Sequence, residues 1–128
     1  MYFTEVELEV LIMEAENVIF GIMYVFIGLL LMGISVPLKN GKVEMNHLYG
    51  VRLRKSYTSE KNWYLMNAYG GRQLLIWSAV LVIIGMVTFL VRFNDDPLLV
   101  VLFAFGPLIV LFIPVLLILR YSRTLGDA

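Results

Sequence analysis

The sequence predicts an all-α fold, an integral membrane three-helix bundle with a cytoplasmic helical loop between spans 1 and 2. Three observations predict it. Of the 128 residues, 60% are hydrophobic and only 16% charged, with mean hydropathy +0.84, whereas soluble domains carry roughly 25% charged residues. Three uncharged apolar runs, 18–36, 74–91 and 98–119, contain 19, 18 and 22 residues, close to the roughly 20 that cross a ~30 Å hydrocarbon layer. The remaining charges are sorted by sign between the connecting segments, which orients the spans.

Residues 1–17 form an acidic extension carrying Glu5, Glu7, Glu9, Glu14 and Glu16 and no basic residue. Glu5, Glu7 and Glu9 alternate with Val6, Leu8 and Val10 at a strand-like period, while Glu5, Glu9 and Glu16 share a helix face. Leu11, Ile12 and Met13 continue the apolar run, so an interfacial helix leading into span 1 is the preferred reading and a solvated acidic extension the alternative. An acidic start with no small-residue cleavage site after the first span is not a secretory signal. Pro37 with Lys39, Asn40 and Gly41 is expected to end span 1.

The connection 39–73 carries Lys39, Lys42, Arg52, Arg54, Lys55, Lys61 and Arg72 against Glu44 and Glu60, so 7 − 2 = +5. The 121–128 tail follows Arg120 and contains Arg123. Positively charged loops stay cytoplasmic. The loop and the C-terminus are therefore expected inside, and the N-terminus and the 92–97 link outside. In that link Asp96 before Pro97 is a helix start, an acceptor cap followed by proline at the first helical position. The third run holds 18 Leu, Ile, Val and Phe residues, which favour insertion by roughly 5–11 kcal/mol before Gly and Pro costs. Pro107 and Pro114 share one face and free the carbonyls of Phe103 and Val110. In lipid those carbonyls need partners. A kinked span packed against its neighbours is expected, with a substrate path or gate as the alternative.

The 39–73 loop carries the only dense polar pattern: Asn46, Gly50, Arg52, Thr58, Trp63, Asn67, Gly70, Gly71 and Arg72. Thr58, Ser59 and Glu60 predict a helix start. From there Trp63, Asn67, Gly70 and Leu74 fall on one face of a helix running into span 2, with a bend allowed at Gly70-Gly71. Asn46 to Tyr49 is expected near the inner end of span 1, and Gly50 allows a turn or a close approach. Trp63, with Tyr57, Tyr64 and Tyr69, reads first as an interfacial anchor, and His47 as an interfacial helix residue. Asn46 and Asn67 read as helix caps or as partners of each other. Lys39, Lys42, Arg54 and Lys61 satisfy charge orientation. Arg52 and Arg72 stand beside Gly and Asn positions, and an arginine fork suits phosphate or carboxylate.

Chemistry is narrowed by what is missing. With no cysteine and a single histidine, thiolate and His-rich metal sites are excluded, and no cofactor is expected. The sequence shows no HExxH, GxSxG or phosphate-binding Gly-rich loop, so an enzyme is not expected. The spans lack the acidic or basic groups that ion-coupled transporters use at membrane depth. Anionic lipid is a nearer partner for the basic loop than nucleic acid.

The arrangement Asn46-x3-Gly50-x-Arg52-x5-Thr58-x4-Trp63-x3-Asn67-x2-Gly70-Gly71-Arg72, followed directly by an apolar span, resembles the signature of the SdpI family of bacterial membrane proteins, over roughly 18–120. The resemblance implies a multi-pass protein of the bacterial cytoplasmic membrane. It also implies a non-enzymatic immunity or resistance factor that binds a toxic peptide or its membrane target, or a receptor that captures a regulatory protein. Two departures stand out. Longer family members place further spans before this unit. This chain also has Arg54-Lys55-Ser56 where the family often shows proline after the Arg-containing turn. Two other function classes remain open: an inner-leaflet binder of anionic lipid or phosphate headgroups through Arg52 and Arg72 with Asn46, Asn67 and Trp63, and a small accessory subunit or homo-oligomer. For the latter, Gly28 and Gly33 permit close packing without forming a GxxxG motif.

Overall fold

The computed structural model describes residues 2–93 and 96–127. Three helices, α1 (Glu5–Lys39), α2 (Glu60–Thr88) and α3 (Pro97–Ser122), are joined by a loop containing one 3-10 turn, Arg54–Tyr57, and by a short link. All three are long and apolar enough to cross a membrane. The all-α expectation therefore holds among the described residues.

The acidic segment is helical and continuous with the first span. The Thr4 hydroxyl accepts the Glu7 amide at 3.3 Å, and the Glu7 carboxylate accepts the Thr4 amide at 2.9 Å. This reciprocal cap satisfies two otherwise orphaned donors and overrides the strand-like alternation of the glutamates. The 35 residues of α1 make it about 52 Å long at 1.5 Å per residue. α1 ends, as expected, within the Pro37-to-Gly41 group, and Pro37 itself lies in the last helical turn. It removes one donor, yet the helix continues to Lys39. The stop lies at Asn40-Gly41, where Gly41 takes φ +65° and the Gly41 and Lys42 amides close onto the Leu38 and Pro37 carbonyls at 3.2 and 3.0 Å.

α1 and α2 form a closely packed antiparallel pair. Gly21, Gly28 and Ser35 recur every seven residues on α1, and Gly71, Ser78 and Gly85 do so on α2. They meet in reverse order. A Cβ on Gly85 would stand 3.0 Å from the Gly21 carbonyl oxygen, one on Gly28 2.9 Å from that of Ser78, and one on Gly71 2.8 Å from that of Ser35. Small residues let the backbones approach, the main source of helix affinity where lipid is as apolar as the side chains. The two buried serines bond their own helix, Ser35 to Met32 O at 2.8 Å and Ser78 to Leu75 O at 3.0 Å, so neither leaves a polar group unmatched.

α3 is attached differently. It packs on α2 and barely touches α1. Among the described residues one α1 side chain hydrogen-bonds to it: the Tyr24 hydroxyl donates to the Phe103 carbonyl, the acceptor that Pro107 deprives of its amide partner. The partner required in lipid thus comes from another helix. Phe93 packs edge-on against Phe103 at 5.4 Å and against Phe20 at 6.2 Å, joining the three helices at this end. α3 is one unbroken helix through Pro107 and Pro114. Its start matches the sequence expectation, with an Asp96 carboxylate oxygen accepting the Leu98 amide at 2.9 Å. Asn94 and Asp95, in the middle of the expected tight link, lie outside the described residues. At the same end Asn17 donates from its side-chain amide to the Val91 carbonyl at 3.0 Å, tying α1 to the exit of α2.

Candidate functional site

The motif segment builds a small folded cap on the end of the bundle opposite the 92–97 link. Its foundation is the first turns of α2. As expected, the helix starts after Thr58: the Ser59 hydroxyl accepts the Asn62 amide at 3.0 Å. Thr58 donates to the Lys55 carbonyl at 2.8 Å and accepts from the Asn62 side chain at 2.7 Å, closing the 3-10 turn onto the helix.

Trp63 is 0% exposed. It is not an interfacial anchor, because the loop folds over it. Its indole N–H donates to the Val43 carbonyl at 2.8 Å. Tyr57 packs against the indole at 5.5 Å and against His47 at 5.2 Å, and the Tyr57 hydroxyl donates to the Asn46 carbonyl at 2.9 Å. His47 sits in the loop turn rather than on a helix. One turn along α2, buried Asn67 accepts the Val51 amide at 2.7 Å through Oδ1 and donates to the Trp63 carbonyl at 2.8 Å through Nδ2. Ser56, also buried, donates to the Val51 carbonyl at 2.6 Å. Both backbone groups of Val51 are thereby held.

Gly50 has no room for a side chain. Its φ is +123°, and a Cβ would stand 2.5 Å from Asn67 Oδ1 and 3.2 Å from the Trp63 ring. Asn46 caps the turn before it. Its Oδ1 accepts the Leu48 and Tyr49 amides at 2.8 and 2.7 Å, and its Nδ2 donates to the Glu44 carbonyl at 2.8 Å. Asn46 and Asn67 therefore serve different ends of the loop and do not bond each other. The Tyr49 hydroxyl donates to the Ile34 carbonyl of α1, placing this stretch at the end of the first span as expected. Loss of water raises the Tyr49 pKa above its ordinary value and keeps it a donor. Among the described residues no buried side-chain polar atom lacks a partner.

The two glycines after Asn67 divide their roles. Gly70 lies against the Val51 side chain and, on α3, Ile118. Gly71 lies against α1, where a Cβ would stand 2.5 Å from the Lys39 amide nitrogen. α2 runs unbroken through both. Arg72 is exposed and outside the cap's hydrogen bonds, and Arg52 is exposed at its rim, donating to the His47 carbonyl at 2.5 Å. The two arginines do not converge. Arg52 borders a crevice of ≈ 270 Å³ between the loop and the ends of the three helices, and Arg72 does not. The cap thus unites Asn46, Gly50, Thr58, Trp63, Asn67 and Gly70, with Gly71 on the adjoining α1 contact.

Residues 42–122, well over half of the chain, match the model of the SdpI/YfhL protein family. The chain belongs to this family. The match takes in the whole motif, α2 and α3, whereas the helical part of α1 precedes it. No curated protein and no solved structure matches the chain.

In this SdpI/YfhL member the polar tail also joins the cap, a contact the sequence does not announce. Tyr121 stacks on Tyr69 at 4.0 Å with the rings 11° apart, the Asn62 side chain donates to the Gly126 carbonyl at 2.7 Å, and Lys55 pairs with Asp127. The hydrogen bond and charge of Lys55, aided by the charge of Arg54, hold the Asp127 carboxyl below its ordinary value. Ser56 and Asn62 are further cap residues outside the sequence motif. Asn62 stands four residues after Thr58, a helical spacing that could have suggested the pair.

Proposed function

We propose that this SdpI/YfhL protein is a non-enzymatic binding protein that confers resistance to a toxic peptide, either by holding the peptide or by masking its membrane target. One observation carries the binding reading. The inward polar groups of the motif are engaged in holding the loop, and what the folded loop offers outward is a fixed surface with Leu48, 91% exposed, beside His47 and Arg52. Groups with structural partners on every side are suited to shape a surface, whereas a catalytic site needs a base within reach of a free nucleophile or substrate proton. Family membership supports the resistance role, and the +5 loop supports placing this surface at the inner face of a bacterial membrane.

The test is survival. A sensitive bacterial strain expressing the chain is challenged with membrane-active toxic peptides and compared with the empty vector. Protection against at least one peptide is expected, and Leu48→Asp should remove it at an unchanged protein level. Survival equal to the vector across the panel would count against the proposal.

A further inference from the structure

The crevice beside Arg52 has the shape and chemistry of a lipid site. Its walls come from all three helices, with Leu38 of α1, Leu74 of α2 and Leu111, Val115 and Ile118 of α3. Arg52 is the one ionisable cation among its lining residues. Apart from Arg52, the polar side-chain group on the loop side is the Tyr49 hydroxyl, which is engaged by the Ile34 carbonyl. Because α3 scarcely meets α1, the crevice lies between two helices that do not close on each other. An acyl chain can therefore enter sideways from the bilayer without passing through water. Its depth also fits, since the apolar spans here give way to the polar loop, the level of lipid headgroups.

Arg52 completes the match. One of its N–H groups reaches the His47 carbonyl at 2.5 Å, and among the described residues its guanidinium has no carboxylate partner; the ion pair present is Lys55–Asp127. An arginine has five donors in a planar fork suited to phosphate. Unlike the sequence expectation, the geometry needs neither Arg72 nor the side chains of Asn46, Asn67 and Trp63, which face structural partners.

We infer that the crevice binds an anionic phospholipid, with one acyl chain between α1 and α3 and the headgroup phosphate on Arg52. Leu48 and Arg52 belong both to this crevice and to the surface of the resistance reading, but lipid retention is read on the purified protein and does not require that reading to hold.

The experiment is native mass spectrometry of the detergent-solubilised full chain after exposure to phosphatidylglycerol, phosphatidylcholine or inorganic phosphate. The expected result is retained phosphatidylglycerol well above phosphatidylcholine, with no competition from inorganic phosphate. Arg52→Gln should lower phosphatidylglycerol retention about tenfold, as for loss of one charge-assisted contact, down to the phosphatidylcholine level. Val115→Trp, which fills the crevice from α3 and leaves Arg52 in place, should lower retention of both lipids. Circular dichroism checks that each variant remains helical. Equal retention of the two lipids, full retention by Val115→Trp, or displacement by inorganic phosphate would each overturn the inference.

Discussion

The loop-capped α1–α2 pair and α3 are built from similarly apolar helices but are held by different means. In the pair, small residues at a seven-residue spacing bring two backbones together, and the cap adds hydrogen bonds in which Trp63, Ser56 and Tyr57 donate to loop carbonyls and Asn67 accepts a loop amide. α3 has its surface on α2, the Tyr24 hydroxyl on Phe103 in its second turn, and the Tyr121 and Gly126 contacts at the tail. The contrast teaches where specificity resides. A bundle of apolar helices can slide in lipid, since lipid competes equally for its faces. Polar groups with single partners fix the register. The pair has many such groups and α3 has few, and the crevice lies where the two meet.

The largest break in this contrast should come from Trp63→Ala. It removes a fully buried side chain and leaves the Val43 carbonyl without its donor, at a cost of about 3–5 kcal/mol. Unfolding in a denaturing detergent titration should shift accordingly, with the whole cap lost. Gly71→Val should follow at about 1–3 kcal/mol or more, because its new side chain meets α1 backbone at Lys39 and Ser35, which cannot rotate away. Separation of labels on α1 and α2, read by spin-label distances, would show the pair opening while α3 stays on α2. If Gly71→Val left that distance unchanged, close backbone approach would not be what holds the pair.

Much of this layout was legible from sequence. The three spans follow from hydropathy, and the helix starts at Ser59 and Asp96 follow from the chemistry of caps. The orphaned Phe103 carbonyl follows from Pro107 alone, but its partner does not: Tyr24 lies 79 residues away, and no local rule names it. The burial of Trp63 is hidden for a similar reason. A tryptophan near a span end is on average an interfacial anchor, and its burial depends on a loop returning over it from Val43. Arg72 looked equivalent to Arg52 by neighbourhood, yet two steps along a helix from Gly70 it turns outward. The paired small residues, 21, 28, 35 and 71, 78, 85, were present in the sequence as a seven-residue period on both helices. They escape a search confined to GxxxG.

Smaller changes should sharpen the contrast from the α3 side. Tyr24→Phe removes one hydrogen bond in lipid, worth about 0.5–1.5 kcal/mol. It should broaden the α1–α3 distance distribution and leave α1–α2 unchanged. The tail contact should respond least, because Asp127 is exposed and its pair with Lys55 is screened by salt. Lys55 lowers the Asp127 pKa in the folded protein, so the tail contact is stabilised above the ordinary carboxylate value and lost as pH falls through the lowered one. Protection of the tail amides, relative to their intrinsic exchange at each pH, should therefore be constant from neutral pH down to about 4 and fall below it, and Asp127→Asn should remove that fall. A tail that loosens already near neutral pH would show that another group holds it.

The central claim is that the motif folds the loop into a fixed cap rather than supplying reactive groups. Residue-resolved hydrogen exchange of the loop amides tests it most directly. The amides of Leu48, Tyr49, Val51 and Ser56 should be protected in the native protein, and in Asn67→Ala the Val51 amide should lose its protection while α3 is unchanged. Exchange of these four amides in the native protein at the rate of an unstructured linker would contradict the account.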